Sequence, residues 1–464
     1  MALWKKSARD LAQMFATGEA SAVEIVTEHL VRIDEVNPEL NAVVARIDDQ
    51  ALETAAQIDE AKAQGQPLGP LAGVPFTIKV NNDLIGSATD YGIPVLKDAI
   101  PTVDEPCVER MKNAGAIPLA RTNMPDLGLR MHTDSFLHGP TKNPWNPLHT
   151  TGGSSGGEGV ALATGMSPIG LGNDVGGSLR NPATCCGIAS IKPTLGRVPR
   201  AEQISTGPHN ITMQLCATNG PMARNIEDVE LGLKVISGVH PRDPITVPVP
   251  LNNPQKESGK IAVMATPPGG PTDPRVAQVV NDASLALEKA GVIVEAVDVP
   301  VYEDTLKCWT DIVVGTIADG LSELKPVISP SAFTFIQIAV NTYGPFTAER
   351  WQQGWADRFD LLVKWNAFFD EYDAVLTPTW TQLPLLAGQD GGNGSVEDCR
   401  YNFETCRPVY PGNVLGIPSV AVPAGLVDGL PVGVLINGPQ WSDLRCLQLA
   451  KYIEDAGIAP PPRF

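Results

Sequence analysis

The chain has 464 residues, 43% apolar and 19% charged, with 34 Lys and Arg against 52 Asp and Glu for a formal net charge of −18. The length suffices for a large buried core, and the composition is that of an ordinary soluble globular protein. The negative field repels nucleic acid and anionic membrane, and no run of about 18 apolar residues is present, so neither partner is expected.

In chain order, MALWKKSARDLAQ carries charges at once and no apolar stretch of signal-peptide length, which predicts a cytoplasmic protein. Residues 7–36 carry two helical patterns with Ser7 and Ser21 as N-caps and Ile25, Leu30 and Ile33 at helical spacing. Residues 51–65 read as a third helix ending at Gly65. GVPFTIKV (73–80) is short, apolar and β-prone, a buried strand ending on Lys79. Residues 104–116 and 117–122 read as helix then strand, and 123–159 as loop rich in Gly, Pro, Asn and Ser. A helix start and a short strand follow within 157–172. Farther on, 259–266, 273–291 and 292–300 form a strand–helix–strand unit, which argues for parallel pairing. Residues 348–372 form a long amphipathic helix running into DAVLTPT, and 380–400 a mobile surface loop. PSVAVPAG and LPVGVLING read as strands before a last helix over 442–456. The alternation predicts an α/β fold: one α/β/α layered domain over 1–464 with a mixed central sheet, its chemistry in about 70–200.

Eight cysteines without CxxC spacing read as reduced structural thiols, and six histidines form neither HxH nor HExxH, so no metal and no cofactor is expected. Two glycine-rich stretches remain, TTGGSSGGEG (150–159) and DVGGSLRNP (174–182). The first is embedded in apolar, structured sequence, unlike a linker. It lacks the lysine of a phosphate-binding loop. It matches GxSxG, but an α/β-hydrolase places its histidine late, and none follows His240. Ser322–Lys325 matches SxxK and reads as a solvated helix turn. A serine can also be activated by a neutral lysine, and burial in an apolar strand would lower the pKa of Lys79.

At this point the chain resembles the amidase signature family. The resemblance is carried by GVPFTIK, RTNMPDLG, GPTKNPWNP, the glycine- and serine-rich segment 152–200, LTPT near 376 and GIPSVAVPAG…GLPVGVLINGP, and so covers nearly the whole chain. It implies a Ser–Ser–Lys triad: Ser178 as nucleophile, Ser154 after a cis peptide bond as bridge (Ser155 competing), and Lys79 as base. The backbone N–H groups of Val175, Gly176 and Gly177, with Ser178 itself as a further donor, would hold a tetrahedral oxyanion, which is why side chains are absent beside the serine. Asp174 and Arg180 would pair and brace the turn. Asn173 stands where many members carry Thr or Ser near the lysine, and Val80 where Asp is frequent.

The resemblance implies hydrolysis of linear amides, with carbamates (urethanes) or esters as further substrates, through an acyl-enzyme. Leu129, Arg130 and Met131, the stretch from His209 to Met213, and the aromatic-rich segment 340–400 (Tyr343, Phe346, Trp351, Trp355, Trp380) are expected to shape a pocket or lid for apolar or aryl amides. A monomer or homodimer acting on a small molecule is expected. Two alternatives stand beside this: the glutamine-hydrolysing subunit of a tRNA-dependent amidotransferase, against which KVNNDLIG departs from the usual segment, and a non-catalytic binding protein of the same fold.

Overall fold

The computed structural model describes residues 2–205, 210–252 and 258–457. His209, expected at the pocket, lies outside the described residues.

The N-terminal helices begin where the sequence indicates. Ser7 Oγ accepts from Asp10 N–H to cap Ala8–Thr17, and Ser21 and Glu24 form a reciprocal capping box at the start of Ala22–Leu40. The third helix spans Asp48–Ala63, three residues earlier at its start than the sequence suggests.

The strands are β1 (Val43–Arg46), β2 (Pro75–Lys79), β3 (Ile117–Thr122), β4 (Asp134–Ser135), β5 (Gly139–Pro140), β6 (Ile169–Asp174), β7 (Ala189–Lys192), β8 (Thr218–Ala223), β9 (Lys260–Val263), β10 (Ile293–Ala296), β11 (Ala374–Pro378), β12 (Ser419–Val427) and β13 (Leu430–Asn437). Eleven of them form one mixed sheet in the order β1-β3-β2-β6-β8-β7-β12-β13-β11-β9-β10. The α/β class and mixed sheet expected from the alternating pattern are therefore present. β2 runs parallel to both β3 and β6, and β9 parallel to both β10 and β11; the other pairings are antiparallel. The strand–helix–strand unit of 259–300 thus gives the parallel pair it promised.

Strands β2, β3, β7, β8, β11 and β13 are buried along their whole length, in keeping with the largely apolar sequences of β2, β11 and β13. Helix Gly156–Ala163 packs on β2 and β6, Arg180–Cys186 on β12 and β13, and Pro274–Lys289 with Asp443–Ala456 on β11 to β13. All eight cysteines are buried and unpaired. No helix among the described residues is long and apolar enough to cross a membrane.

One region goes beyond the sequence reading and one departs from it. Residues 300–347 fold into successive helices, Tyr302–Trp309, Gly315–Asp319, Leu321–Leu324 and Pro330–Tyr343 among them. The 380–400 segment is not a free surface loop: Trp380, Leu385 and Asp390 are buried in it, and helix Val396–Cys406 begins within it.

Candidate active site

β2 and β6 are neighbours and run in the same direction, so Lys79 and the pair Asn173–Asp174 emerge together at their carboxyl ends. Such ends of parallel strands are where α/β sheets place their ligands. The turn before helix Gly156–Ala163 brings Ser154 to the same place, and the turn between β6 and helix Arg180–Cys186 brings Ser178.

Lys79 is completely buried, and its Nζ lies 2.7 Å from Ser154 Oγ and 2.7 Å from Asn173 Oδ1. Burial lowers its pKa to about 7, against the pull of the Asp174 and Glu158 charges. The neutral amine is therefore accessible near neutral pH. The Glu158 carboxyl, buried and held by the Thr77 and Thr122 hydroxyls, is itself pushed up to about 7 by burial.

Of the two adjacent serines, Ser154 meets the lysine; Ser155 Oγ is buried with no hydrogen-bond partner among the described residues. The peptide bond from Gly153 to Ser154 is cis. Ser155 N–H donates to the Ser178 carbonyl at 3.2 Å, joining the two serine turns. Among the described residues Ser178 Oγ makes no hydrogen bond to Ser154 Oγ, and Ser178 is 8% exposed against 2% for Ser154. Catalytic hydrogen bonds are often loose without substrate and tighten when it binds.

Asp174 and Arg180 pair as expected, both fully buried, with Nε to Oδ2 at 2.9 Å and the second guanidinium contact to Oδ1 at 2.8 Å. Burial would raise the Asp174 pKa, but the Arg180 charge and hydrogen bonds from Arg180, Asn413 and Leu179 outweigh it and hold the carboxylate well below its usual range. Arg180 also bonds the Val409 carbonyl at 2.6 Å and Asn413 Oδ1 at 2.6 Å, so the brace reaches the C-terminal third of the chain.

The loop between Asp174 and Ser178 has three of its carbonyls tied down from behind. Asn413 Nδ2 donates to Asp174 O at 3.3 Å, Trp309 Nε1 to Val175 O at 3.2 Å, and Asn181 N–H to Gly177 O at 2.6 Å. A trans peptide points its C=O and the following N–H in opposite directions. The N–H groups of Val175, Gly176 and Ser178 are thereby turned the other way, and among the described residues none has an acceptor. Gly177 corrects the expectation: its N–H donates to Asp174 Oδ1 at 2.7 Å and is not available to an oxyanion. The glycines are required on packing grounds too. A Cβ on Gly176 would lie 2.7 Å from Trp309 Cζ2, and Gly177 has φ +96° with Val409 Cγ2 2.5 Å from a would-be Cβ.

The expected pocket residues divide. Leu129 and Met131 are half-buried beside the Ser154 turn, where the Arg130 and Met131 backbone abuts Gly153. Arg130 does not offer its charge to a ligand: it is 2% exposed, with Nε and its second nitrogen each 2.8 Å from the Asp390 oxygens. Met213 sits in helix Ile211–Cys216, whose last carbonyl accepts from Asn413, and among the described residues no hydrogen bond links it to the serines or lysine. Trp309 carries no local sequence signal. It stacks on Tyr410 at 3.9 Å between centroids and lies against Gly176, with Phe403 and Tyr343 continuing the aromatic cluster. Among the described residues no group of three or more His, Cys, Asp or Glu could hold a metal ion.

The family model for amidases matches residues 24–447. The chain belongs to the amidase family. It is 39% identical to an indoleacetamide hydrolase of Bradyrhizobium diazoefficiens over 463 residues, covering 98% of this chain and 87% of the relative. It is 30% identical to a glutamyl-tRNA(Gln) amidotransferase A-type subunit from Moorella thermoacetica, covering 98% and 97%. The crystal structure of a bacterial aryl acylamidase of the amidase signature family superimposes with a TM-score of 0.82 at 28% identity, covering 97% of this chain and 96% of that one. The chain is an amidase-signature amidohydrolase, an amide-hydrolysing enzyme.

Proposed function

We propose that this amidase cleaves apolar or aryl amides through an acyl-enzyme on Ser178, with Lys79 as base and Ser154 as proton bridge. The observation that carries the reading is a wholly buried amine 2.7 Å from a serine hydroxyl, its pKa brought to about 7. Neutral Lys79 takes a proton from Ser154 Oγ as Ser154 takes one from Ser178 Oγ, and the Ser178 oxygen attacks the amide carbon. The negative oxygen that forms is received by the N–H groups of Val175, Gly176 and Ser178. The relay then runs backwards and delivers the proton to the departing nitrogen, without which an amine is a poor leaving group. Water, deprotonated by the same relay, releases the acid.

The aromatic cluster of Trp309, Tyr410, Phe403 and Tyr343 beside the donor loop supports an aryl or apolar acyl group, as do the indoleacetamide hydrolase and aryl acylamidase likenesses. Carbamates present the same kind of carbonyl to Ser178 and are included as substrates. All residues of the relay come from one chain, in keeping with a monomer or homodimer, and eight buried unpaired cysteines favour a reducing compartment such as the cytoplasm.

The likeness to the amidotransferase relatives favours a second reading, glutamine as amide donor with partner proteins. A screen of arylacetamides, anilides, short aliphatic amides, carbamates and glutamine separates the two. Arylacetamide or anilide turnover at least tenfold above glutamine is expected. Preference for glutamine, or no turnover of any of them, overturns the proposal.

A further inference from the structure

One side chain in DVGGSLRNP has no part in the relay and yet touches both serine turns. Asn181 is completely buried. Its Nδ2 lies 3.1 Å from the Gly153 carbonyl oxygen, 3.2 Å from the Gly176 carbonyl oxygen and 3.2 Å from Met131 Sδ. Its Oδ1 accepts from Trp380 Nε1 at 2.8 Å. An indole nitrogen can only donate, so Trp380 fixes which end of the carboxamide faces it. Turned over, the amide would set its oxygen against two carbonyl oxygens and its NH₂ against the indole N–H.

The two carbonyls it holds belong to the peptides that matter most. Gly153 C=O is part of the peptide that carries Ser154. Gly176 C=O is part of the peptide whose N–H, on Gly177, is anchored at its other end by Asp174 Oδ1 at 2.7 Å. That peptide plane is therefore gripped from both sides, and the free N–H groups of Gly176 and Ser178 flank it. Gly177 has no room to relax, since a Cβ there would lie 2.6 Å from Asn181 Oδ1.

We propose that Asn181 is a positioning residue whose carboxamide, oriented by Trp380, clamps the Ser154 turn to the donor loop and so sets the distance from the bridging hydroxyl to the oxyanion donors. It rests on the reading of Ser178 and this loop given above. A displacement of about 1 Å at such a site costs on the order of 100-fold in rate.

The test compares the wild type with Asn181→Leu, which keeps the side-chain size without polar atoms, and Trp380→Phe, which keeps a smaller buried aromatic ring and removes the indole N–H. Folding is checked by thermal denaturation and circular dichroism. Measured are kcat and KM for one amide and its matching ester, and inhibition by a boronic acid, to which Ser178 Oγ adds to give a tetrahedral anion, and by the carboxylic acid product. The expected result is a fall in kcat of about 100-fold for Asn181→Leu and about tenfold for Trp380→Phe, equal for amide and ester. Boronate affinity is expected to fall in step while KM and product inhibition stay within about threefold, because a clamp that aims donors bears on the tetrahedral state and not on the ground state. A merely structural residue would lower stability without separating boronate from product. Unchanged kcat in the folded Trp380→Phe enzyme, or equal losses of boronate and product affinity, overturns the inference. An inactive wild type overturns the proposed function instead, so the two failures are told apart before any variant is compared.

Discussion

Replacing Asn173 by Asp puts a charge where the structure has a neutral acceptor, 2.7 Å from Lys79 Nζ. A unit charge at 2.7 Å and an effective dielectric constant of about 20 favours the ammonium form by about 6 kcal/mol. Burying the new carboxylate beside Asp174 opposes this, and a net rise of about two pH units in the lysine pKa is a reasonable balance. The neutral amine is the working form, and its fraction grows with pH through the pKa, so raising the pKa moves the activity curve to the alkaline side. For the wild type, with the lysine at about 7, kcat/KM is expected to rise about tenfold from pH 6 to pH 8 and then level. For Asn173→Asp the midpoint moves to about 9, kcat/KM at pH 7 falls about 50-fold, and most of it returns by pH 10. The assay is the pH profile of kcat/KM with a slow amide, for which chemistry limits the rate, with Asn173→Ser as the neutral control. A midpoint left near 7 in Asn173→Asp, or a loss that is the same at every pH, would refute the reasoning.

Four other substitutions follow from the same geometry. Lys79→Ala is expected to cut amide turnover about 1000-fold and ester turnover at least tenfold less, because only the amine needs the returned proton; equal losses in steady-state kinetics contradict a donor role. Ser155→Ala should stay within about threefold of the wild type and Ser154→Ala fall at least 100-fold, since only Ser154 meets the lysine; the reverse order would exchange their roles. Arg180→Met leaves the buried Asp174 carboxylate without its counter-ion and should lower unfolding stability by about 3–5 kcal/mol in urea titrations; a loss under about 1 kcal/mol would show that the pair does not brace the turn.

What the sequence reveals and what it hides divide along contact range. The strand that ends on Lys79 is legible because β2 is a local pattern, and Ser7 and Ser21 because a cap needs only the next three residues, whereas the choice of Ser154 over Ser155 rests on the family resemblance. The oxyanion loop reads in sequence as three successive donors, but whether an N–H is free depends on what lies behind it. Gly177 loses its N–H to Asp174, and Ser178 keeps its own because Asn181 N–H takes the Gly177 carbonyl. Arg130 reads as a pocket residue because its partner, Asp390, is 260 positions away in a segment with the pattern of a free loop. Trp309 and Asn413 reach the loop across 134 and 239 positions, and nothing near them in sequence marks them. The helix at Pro330 goes unread although its signal is local: Ser329 before Pro330 offers a cap and first turn, and Ser329 Oγ accepts from Ala332 N–H.

The most direct test of the relay is where a covalent acyl analogue lands. The enzyme is treated with a fluorophosphonate, digested, and the adduct located by tandem mass spectrometry, alongside Ser178→Ala and Lys79→Ala. The account expects one adduct, on Ser178, absent from Ser178→Ala and formed much more slowly in Lys79→Ala. An adduct on Ser154 or another residue, or undiminished labelling of Ser178→Ala, would contradict it.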